Sequence, residues 1–316
     1  MDGSGRALSP GANALLQDAL EGLSQRQKRL SPKWLYDQRG SALFEEITGL
    51  PEYYLTRTEA AILTEYAAEL AGLVPEGGAL VEFGSGASVK TRTLLDAGDH
   101  FAAYVPIDIS ANFLHQTAHG LRAHYPRLEI APVVADFTAP VRLPPHLDAM
   151  AKVGFFPGST IGNLPPEAAT DLLRHARRWP GAQGFILGAD LVKDEATLVA
   201  AYDDAQGVTA QFIGNILHRL NAELGADFDT GAFAYRATWN AALARIDMEL
   251  VSTRAQTVSL PGARIDFAAG EAIHVSASRK YTEQTLAQLV VPAGWRVEQL
   301  LTDEDRAFAV AVLLPQ

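Results

Sequence analysis

The chain has 316 residues, with 26 Lys+Arg against 37 Asp+Glu and a formal net charge of −11. Such an acidic excess argues against a broad nucleic-acid or anionic-membrane surface, since both need clustered basic charge. Cysteine is absent, which excludes disulfides, thiolate metal sites, iron–sulfur clusters and cysteine nucleophiles. The length suits one large domain with a smaller one, and 48% hydrophobic residues are enough for a substantial core. No stretch approaches the ~18 apolar residues of a membrane span, and residues 1–17 lack an apolar core of signal-peptide length. The expectation is a soluble cytoplasmic monomer with no nucleic-acid or membrane partner.

In chain order, residues 1–10 read as a flexible tail. A helical pattern covers 11–28, broken by Ser31-Pro-Lys-Trp-Leu-Tyr36, and a short amphipathic helix follows at 41–47, ended by Pro51. Positions 56–73 are strongly periodic, with Ala60, Ile62, Leu63, Tyr66, Ala67 and Leu70 at helical spacing. Strand and helix then alternate: strand 79–83, helix 88–97, strand 102–107 ending at Asp108, helix 111–124 and strand 128–134 ending at Asp136. Strand 152–156, helix 166–178 and strand 184–187 ending near Asp190 complete the series. This alternation implies a parallel sheet covered by helices on both faces. Residues 295–301 and 307–314 form two apolar strands joined by a charged turn, and 194–282 is an insertion with long helices (194–222) and a strand-rich part (232–270).

The turn Val81-Glu82-Phe83-Gly84-Ser85-Gly86 follows a strand and precedes a helix, where glycines let the backbone approach a ligand at a helix N-terminus. A dinucleotide fingerprint needs a third glycine three positions after Gly86, and that position is Val89. S-adenosylmethionine carries no phosphate, and the shorter acidic-x-Gly-x-Gly turn suffices for its amino-acid part. Asp108 at the second strand end suits two ribose hydroxyls, and Asp136 with Phe137 at the third suits the adenine amino group and ring. A parallel sheet closed by an antiparallel pair points to an α/β fold with a class I (Rossmann-like) methyltransferase sheet, plus a second smaller α+β domain. The expected division is 58–193 with 283–316 as the cofactor domain and 11–57 with 194–282 as the substrate domain.

Several strings carry a family resemblance: Ser31-Pro-Lys-Trp-Leu-Tyr-Asp37, Leu50-Pro-Glu-Tyr-Tyr54 with Thr56-Arg-Thr-Glu59, and Gly158-Ser-Thr-Ile-Gly-Asn-Leu164. Asp190-Leu-Val-Lys-Asp194, Ala201-Tyr-Asp-Asp204 and Asp266-Phe-Ala-Ala-Gly-Glu271 extend it. From about residue 20 to the C-terminus the chain resembles the histidine Nα-methyltransferases of ergothioneine biosynthesis. The resemblance implies trimethylation of L-histidine to hercynine with S-adenosylmethionine as donor, S-adenosylhomocysteine as product and no metal. By the same resemblance Gly84, Lys90, Asp108, Asp136 and Phe137 hold the cofactor, joined by Gly86 of the glycine turn. Asn163 and Tyr202 hold the substrate carboxylate, Tyr36 and Gly158 lie near the amine, and Tyr53, Met248, Ser276 and Ser278 surround the side chain. Tyr36 and Asn163 are the catalytic candidates. The family usually has Thr-Glu-x-Ser where this chain has Val275-Ser276-Ala277-Ser278, so another amino acid is the alternative substrate. A non-catalytic cofactor-binding protein is the alternative of another class.

Each of these residues also has a plainer reading. Tyr36, Tyr53 and Tyr202 can be half-buried packing residues, Asn163 a cap for the helix near Pro165, and Met248 core filler. Lys90 can be solvated, and Ser276 and Ser278 can face water along a strand. His115 and His119, with His124 nearby, lie on one helix with no acid between the pair, which reads as a solvated face rather than a metal site.

Overall fold

The structure, a computed structural model, describes residues 9–316. Ser9 caps α1 (Pro10–Leu23), its hydroxyl accepting from the Ala12 N–H at 3.2 Å, and Pro10 sits where a missing N–H costs nothing. Ser9 and Pro10 thus belong to a helix start and not to the expected tail, whose residues 1–8 lie outside the described residues. The helix ends at Leu23, earlier than the pattern suggests, because the chain doubles back on Gly22. A Cβ there would lie 2.2 Å from the Arg29 carbonyl oxygen. Residues 28–30 are then extended.

Asp37 caps α2 (Gln38–Thr48) by accepting the Gly40 N–H at 2.7 Å. The single helix expected for 56–73 is two, α3 (Tyr54–Glu65) and α4 (Ala67–Ala71), parted at Tyr66 with φ −104°. No Gly or Pro marks that break. Next come β1 (Ala79–Phe83), α5 (Val89–Asp96), β2 (Ala103–Asp108), α6 (Ala111–His124), β3 (Glu129–Ile130), β4 (Val133–Val134), β5 (Lys152–Phe156), α7 (Pro166–Arg177) and β6 (Ala182–Asp190). The expected strand 128–134 is split because Pro132 has no N–H for the ladder. Helices α8 (Glu195–Ala200) and α9 (Val208–Leu224) occupy the helical region expected over 194–222. The turn between them ends in Gly207 at φ +70°. Strands β7 (Phe233–Asn240), β8 (Arg245–Ser252), β9 (Gln256–Leu260), β10 (Ala263–Phe267) and β11 (Ala272–Arg279) follow. Helix α10 (Glu283–Val290), β12 (Trp295–Thr302) and β13 (Phe308–Pro315) end the chain.

Two compact units result: one takes the chain up to Tyr54 with Asp194–Ser278, the other Leu55–Lys193 with Arg279–Gln316. The second holds an eight-stranded sheet in the order β12-β13-β6-β5-β1-β2-β3, with β4 also on β2. β1, β2, β5 and β6 pair in parallel, whereas β13 runs antiparallel to both β6 and β12. This is the class I methyltransferase sheet anticipated from the alternation and closing pair. β1 and β5 are buried at every residue, as strands covered on both faces must be. Phe83, Phe156, Phe185 and Trp295 lie in one core cluster, and the Trp295 indole N–H is satisfied by the Leu173 carbonyl at 2.9 Å. Buried Asp190 at the end of β6 accepts from Lys193 at 2.7 Å and from buried Lys280 at 2.6 Å. That pairing ties the strand end to the segment entering α10.

In the first unit α9 buries Phe212, Ile213, Ile216, Leu217 and Leu220 and packs on α1, α2, β7 and β8. Asp204 caps it, accepting the Val208 and Thr209 N–H groups at 2.8 Å each. A three-stranded sheet β11-β8-β7 stands beside the β9–β10 hairpin. Residues 28–30 border β11, with Leu30 N–H to the His274 carbonyl and His274 N–H to the Lys28 carbonyl, both 2.9 Å.

Candidate active site

In the sheet unit, β1 delivers the chain into a turn that only glycine enters cheaply: Gly84 has φ +64° and Gly86 φ +48°. The Gly84 and Ser85 N–H groups bond the Ile107 carbonyl at 2.8 and 3.2 Å, fastening the turn to β2. Asp108, the last residue of β2, accepts the Gly86 N–H on Oδ2 at 3.1 Å and the Ser110 N–H on Oδ1 at 2.9 Å. Each oxygen keeps a lone pair for a ligand hydroxyl. Under the turn, buried Glu82 accepts from Thr91 Oγ1 at 2.5 Å and from the Tyr104 hydroxyl. Ser88 Oγ lies 2.9 Å from that same tyrosine oxygen.

Space opens in front of the turn. A Cβ on Gly86 would meet nothing within 4 Å, and one on Gly84 only the Phe137 ring at 3.5 Å. The Ser85 hydroxyl is buried and has no hydrogen-bond partner among the described residues. A glycine cradle, an orphaned hydroxyl and carboxylates at strand ends fit a small polar ligand with an adenosyl part. Asp136 commits Oδ1 to the Thr138 N–H and hydroxyl, at 2.9 and 2.6 Å. Phe137 stands edge-on to Phe83 and Phe156.

Lys90 is not simply solvated: its ammonium pairs with the fully buried Glu59. Glu59 also takes the Gly158 N–H on both oxygens, at 2.9 and 2.8 Å. The expected residues Lys90 and Gly158 are therefore brought together by a residue not singled out beforehand, though it ends the Thr56-Arg-Thr-Glu59 string. Glu82, Tyr104 and Ser85 are further additions, and of these only Glu82, the acid of the glycine turn, carried a sequence signal. Asn163 ends the short 3-10 turn Thr160–Asn163. Helix α7 takes Pro165 as its N-cap with no side-chain capping bond, so the capping reading of Asn163 fails.

In the other unit an aromatic series joins three expected residues. Tyr36 meets Phe44 and Phe212 edge-on with centroids 5.8 and 5.5 Å apart, and Phe44 meets Tyr53 at 6.5 Å. Tyr53 in turn meets Tyr202 at 5.9 Å. The Tyr202 hydroxyl lies 2.7 Å from Ser278 Oγ, and Tyr235 donates to the Tyr202 carbonyl at 2.6 Å. Tyr36 is about one-third exposed, whereas Tyr53 and Tyr202 are buried. Ser276 and Ser278 are buried too, which overturns the solvent-facing reading, and Met248 is buried on β8. Buried Asp247 is already engaged by Asn240, Arg245 and His274, as Asp204 is by its capped helix.

Among the described residues no group of three or more His, Cys, Asp or Glu is placed to hold a metal ion, and no helix is long and apolar enough to cross a membrane. Residues 15–315 match the family described as histidine-specific methyltransferase, SAM-dependent. The chain is 41% identical to the histidine N-alpha-methyltransferase of Mycolicibacterium smegmatis, over 97% of this chain and 96% of that protein. It is 42% identical to the histidine N-alpha-methyltransferase of Mycobacterium tuberculosis, over 95% and 94%. Ergothioneine biosynthesis protein 1 of Neurospora crassa is 32% identical over 63% of this chain and 23% of its own length. With a matching sheet, a glycine cradle and a family match over nearly its whole length, the chain belongs to the S-adenosylmethionine-dependent histidine-specific methyltransferases and is an amino-acid N-methyltransferase.

Proposed function

We propose that the enzyme transfers three methyl groups in turn to the α-amino nitrogen of L-histidine, producing hercynine for ergothioneine biosynthesis. The observation that carries this reading is the similarity, along nearly the full length of both chains, to two proteins named for histidine Nα-methylation. When bound, S-adenosylmethionine supplies a methyl carbon on a positively charged sulfur, open to in-line displacement. Gly84, Gly86, Asp108, Asp136 and Phe137 hold it, with Lys90 at its amino-acid end, and Gly158 is assigned beside the substrate amine. The nucleophile is a neutral amine, so the residues around it work by orientation more than by proton abstraction.

Asn163, whose side-chain amide has no hydrogen bond among the described residues, is assigned to a substrate carboxylate, as is the Tyr202 hydroxyl. Tyr53, Met248, Ser276 and Ser278 are assigned to the side chain. Tyr36 offers an aromatic face, which tolerates an alkylammonium as N–H donors are lost, and its partial exposure gives the released proton a way to water. A second reading, Nα-methylation of another free amino acid, is favoured by buried Ser276. It offers a neutral hydroxyl where the related family carries a carboxylate, and a charge-assisted bond is worth about 1.5–3 kcal/mol against about 1 for a neutral one.

The test is incubation of the pure protein with S-adenosylmethionine and a panel of free amino acids, read by mass spectrometry. Successive mono-, di- and trimethylated histidine is expected. Products that stop short of three methyl groups overturn the trimethyl assignment. Methylation of a different amino acid with histidine untouched overturns the substrate.

A further inference from the structure

Glu59, on α3, has no solvent exposure. A carboxylate cut off from water keeps its charge only if donors meet its oxygens. The Gly158 N–H and the Lys90 ammonium supply them. The fold also makes room for it. A Cβ on Gly188 of β6 would lie 2.1 Å from Glu59 Oε1 and 3.2 Å from the Gly158 nitrogen, so residue 188 admits no side chain while Glu59 stays in place. Elements α3, α5, β6 and the turn after β5 converge on this one carboxylate.

Stability alone is a poor reason for the arrangement, because a well-packed apolar replacement of a buried ion pair is often as stable. Lys90 shows what the arrangement achieves. Its side chain is 20% exposed and its ammonium has three N–H donors, of which Glu59 uses one and no other described residue uses any. The ammonium is therefore anchored at the start of α5, close behind the glycine turn, with two donors to spare.

We propose that Glu59 is a positioning residue for the donor's amino-acid end. It aims the spare Lys90 N–H groups at an α-carboxylate and holds the Gly158 backbone at φ +79°. The proposal rests on the reading that the glycine turn and Lys90 take the donor. The experiment is calorimetric titration with S-adenosylhomocysteine and with 5′-methylthioadenosine, which lacks the amino-acid end. Glu59→Gln keeps the size and loses the charge. It is expected to weaken S-adenosylhomocysteine about ten- to thirty-fold while 5′-methylthioadenosine changes by less than about twofold. Lys90→Met is expected to show the same selective loss, and the double variant to be no weaker than Lys90→Met alone.

Unchanged S-adenosylhomocysteine affinity in Glu59→Gln, equal weakening of both ligands, or losses that add in the double variant would overturn the proposal. Should Glu59→Gln fold poorly, Gly188→Ala serves instead, since its methyl group displaces the same carboxylate; normal affinity there is equally fatal. Asp108→Ala separates the two readings. It is expected to weaken both ligands through the ribose, and if it weakens neither, the donor site itself is misassigned.

Discussion

The two units hold their functional groups by different means. Around the parallel sheet the backbone does most of the holding: N–H groups of Gly84, Ser85, Gly86, Ser110 and Gly158 are bonded to the Ile107 carbonyl or to the carboxylates of Asp108 and Glu59. In the other unit side chains hold side chains, through ring edges from Tyr36 to Tyr202 and a hydroxyl pair at Ser278. A backbone-built site depends on turn geometry and survives much sequence change. A side-chain-built site changes its preference with one substitution and leaves the fold alone. Affinity for an invariant donor belongs with the first kind of construction, and choice among amino acids with the second.

The largest expected effect comes from Asp108→Ala. Loss of its bonds to the turn and to a ribose costs about 100-fold in S-adenosylhomocysteine affinity by calorimetry, with amino-acid KM at saturating donor little changed. A parallel loss in amino-acid KM would break the division of labour.

Next is Glu82, whose burial, only partly offset by hydrogen bonds from Thr91 and Tyr104, pushes its carboxyl up to about 7. The folded chain keeps a proton there that the unfolded chain releases near its ordinary value of 4.5. The stability this contributes is full below that window and is lost as pH rises through it, by roughly 3 kcal/mol. Thermal melts from pH 4 to 8 should show the slope, and Glu82→Gln should flatten it. In the other unit the Lys28 side chain, bonded to Glu271, holds that carboxyl below its usual range, so its contribution is lost in the opposite direction, as pH falls.

Tyr202→Phe removes one hydroxyl from the side-chain-built region. Amino-acid KM is expected to rise about tenfold with donor affinity unchanged; an equal fall in donor affinity would contradict the comparison. The smallest effect is also the most informative about substrate. Ser276→Glu restores a carboxylate and is expected to lower histidine KM about fivefold. An unchanged or raised KM for histidine favours the second substrate reading.

Much of the sheet unit was readable without coordinates. Strands at 79–83 and 152–156 and the helix at 166–178 follow from runs of apolar residues bounded by turn formers, and Asp108 stands at its strand end as the pattern required. The misses share one cause: a single position that periodicity does not weigh. Pro132 cut a ladder, Gly22 let the chain reverse, and Tyr66 left the helix without any residue type that announces it.

The order of residues alone settled what local chemistry controls, namely alternating strands and helices, glycines at a turn and acids at strand ends. Three-dimensional packing decided the partners. The sequence offers Lys90 as a cofactor residue or a solvated lysine, and only the fold pairs it with Glu59, 31 positions earlier, and brings Gly158 to that same carboxylate across 99 positions. Ser276 and Ser278 could face water along a strand as far as the alternation shows, and the fold buries both on β11, which lies between β8 and the returning segment at 28–30. Hydrogen bonding and burial depend on distance in space, and only folding brings such separated residues within reach.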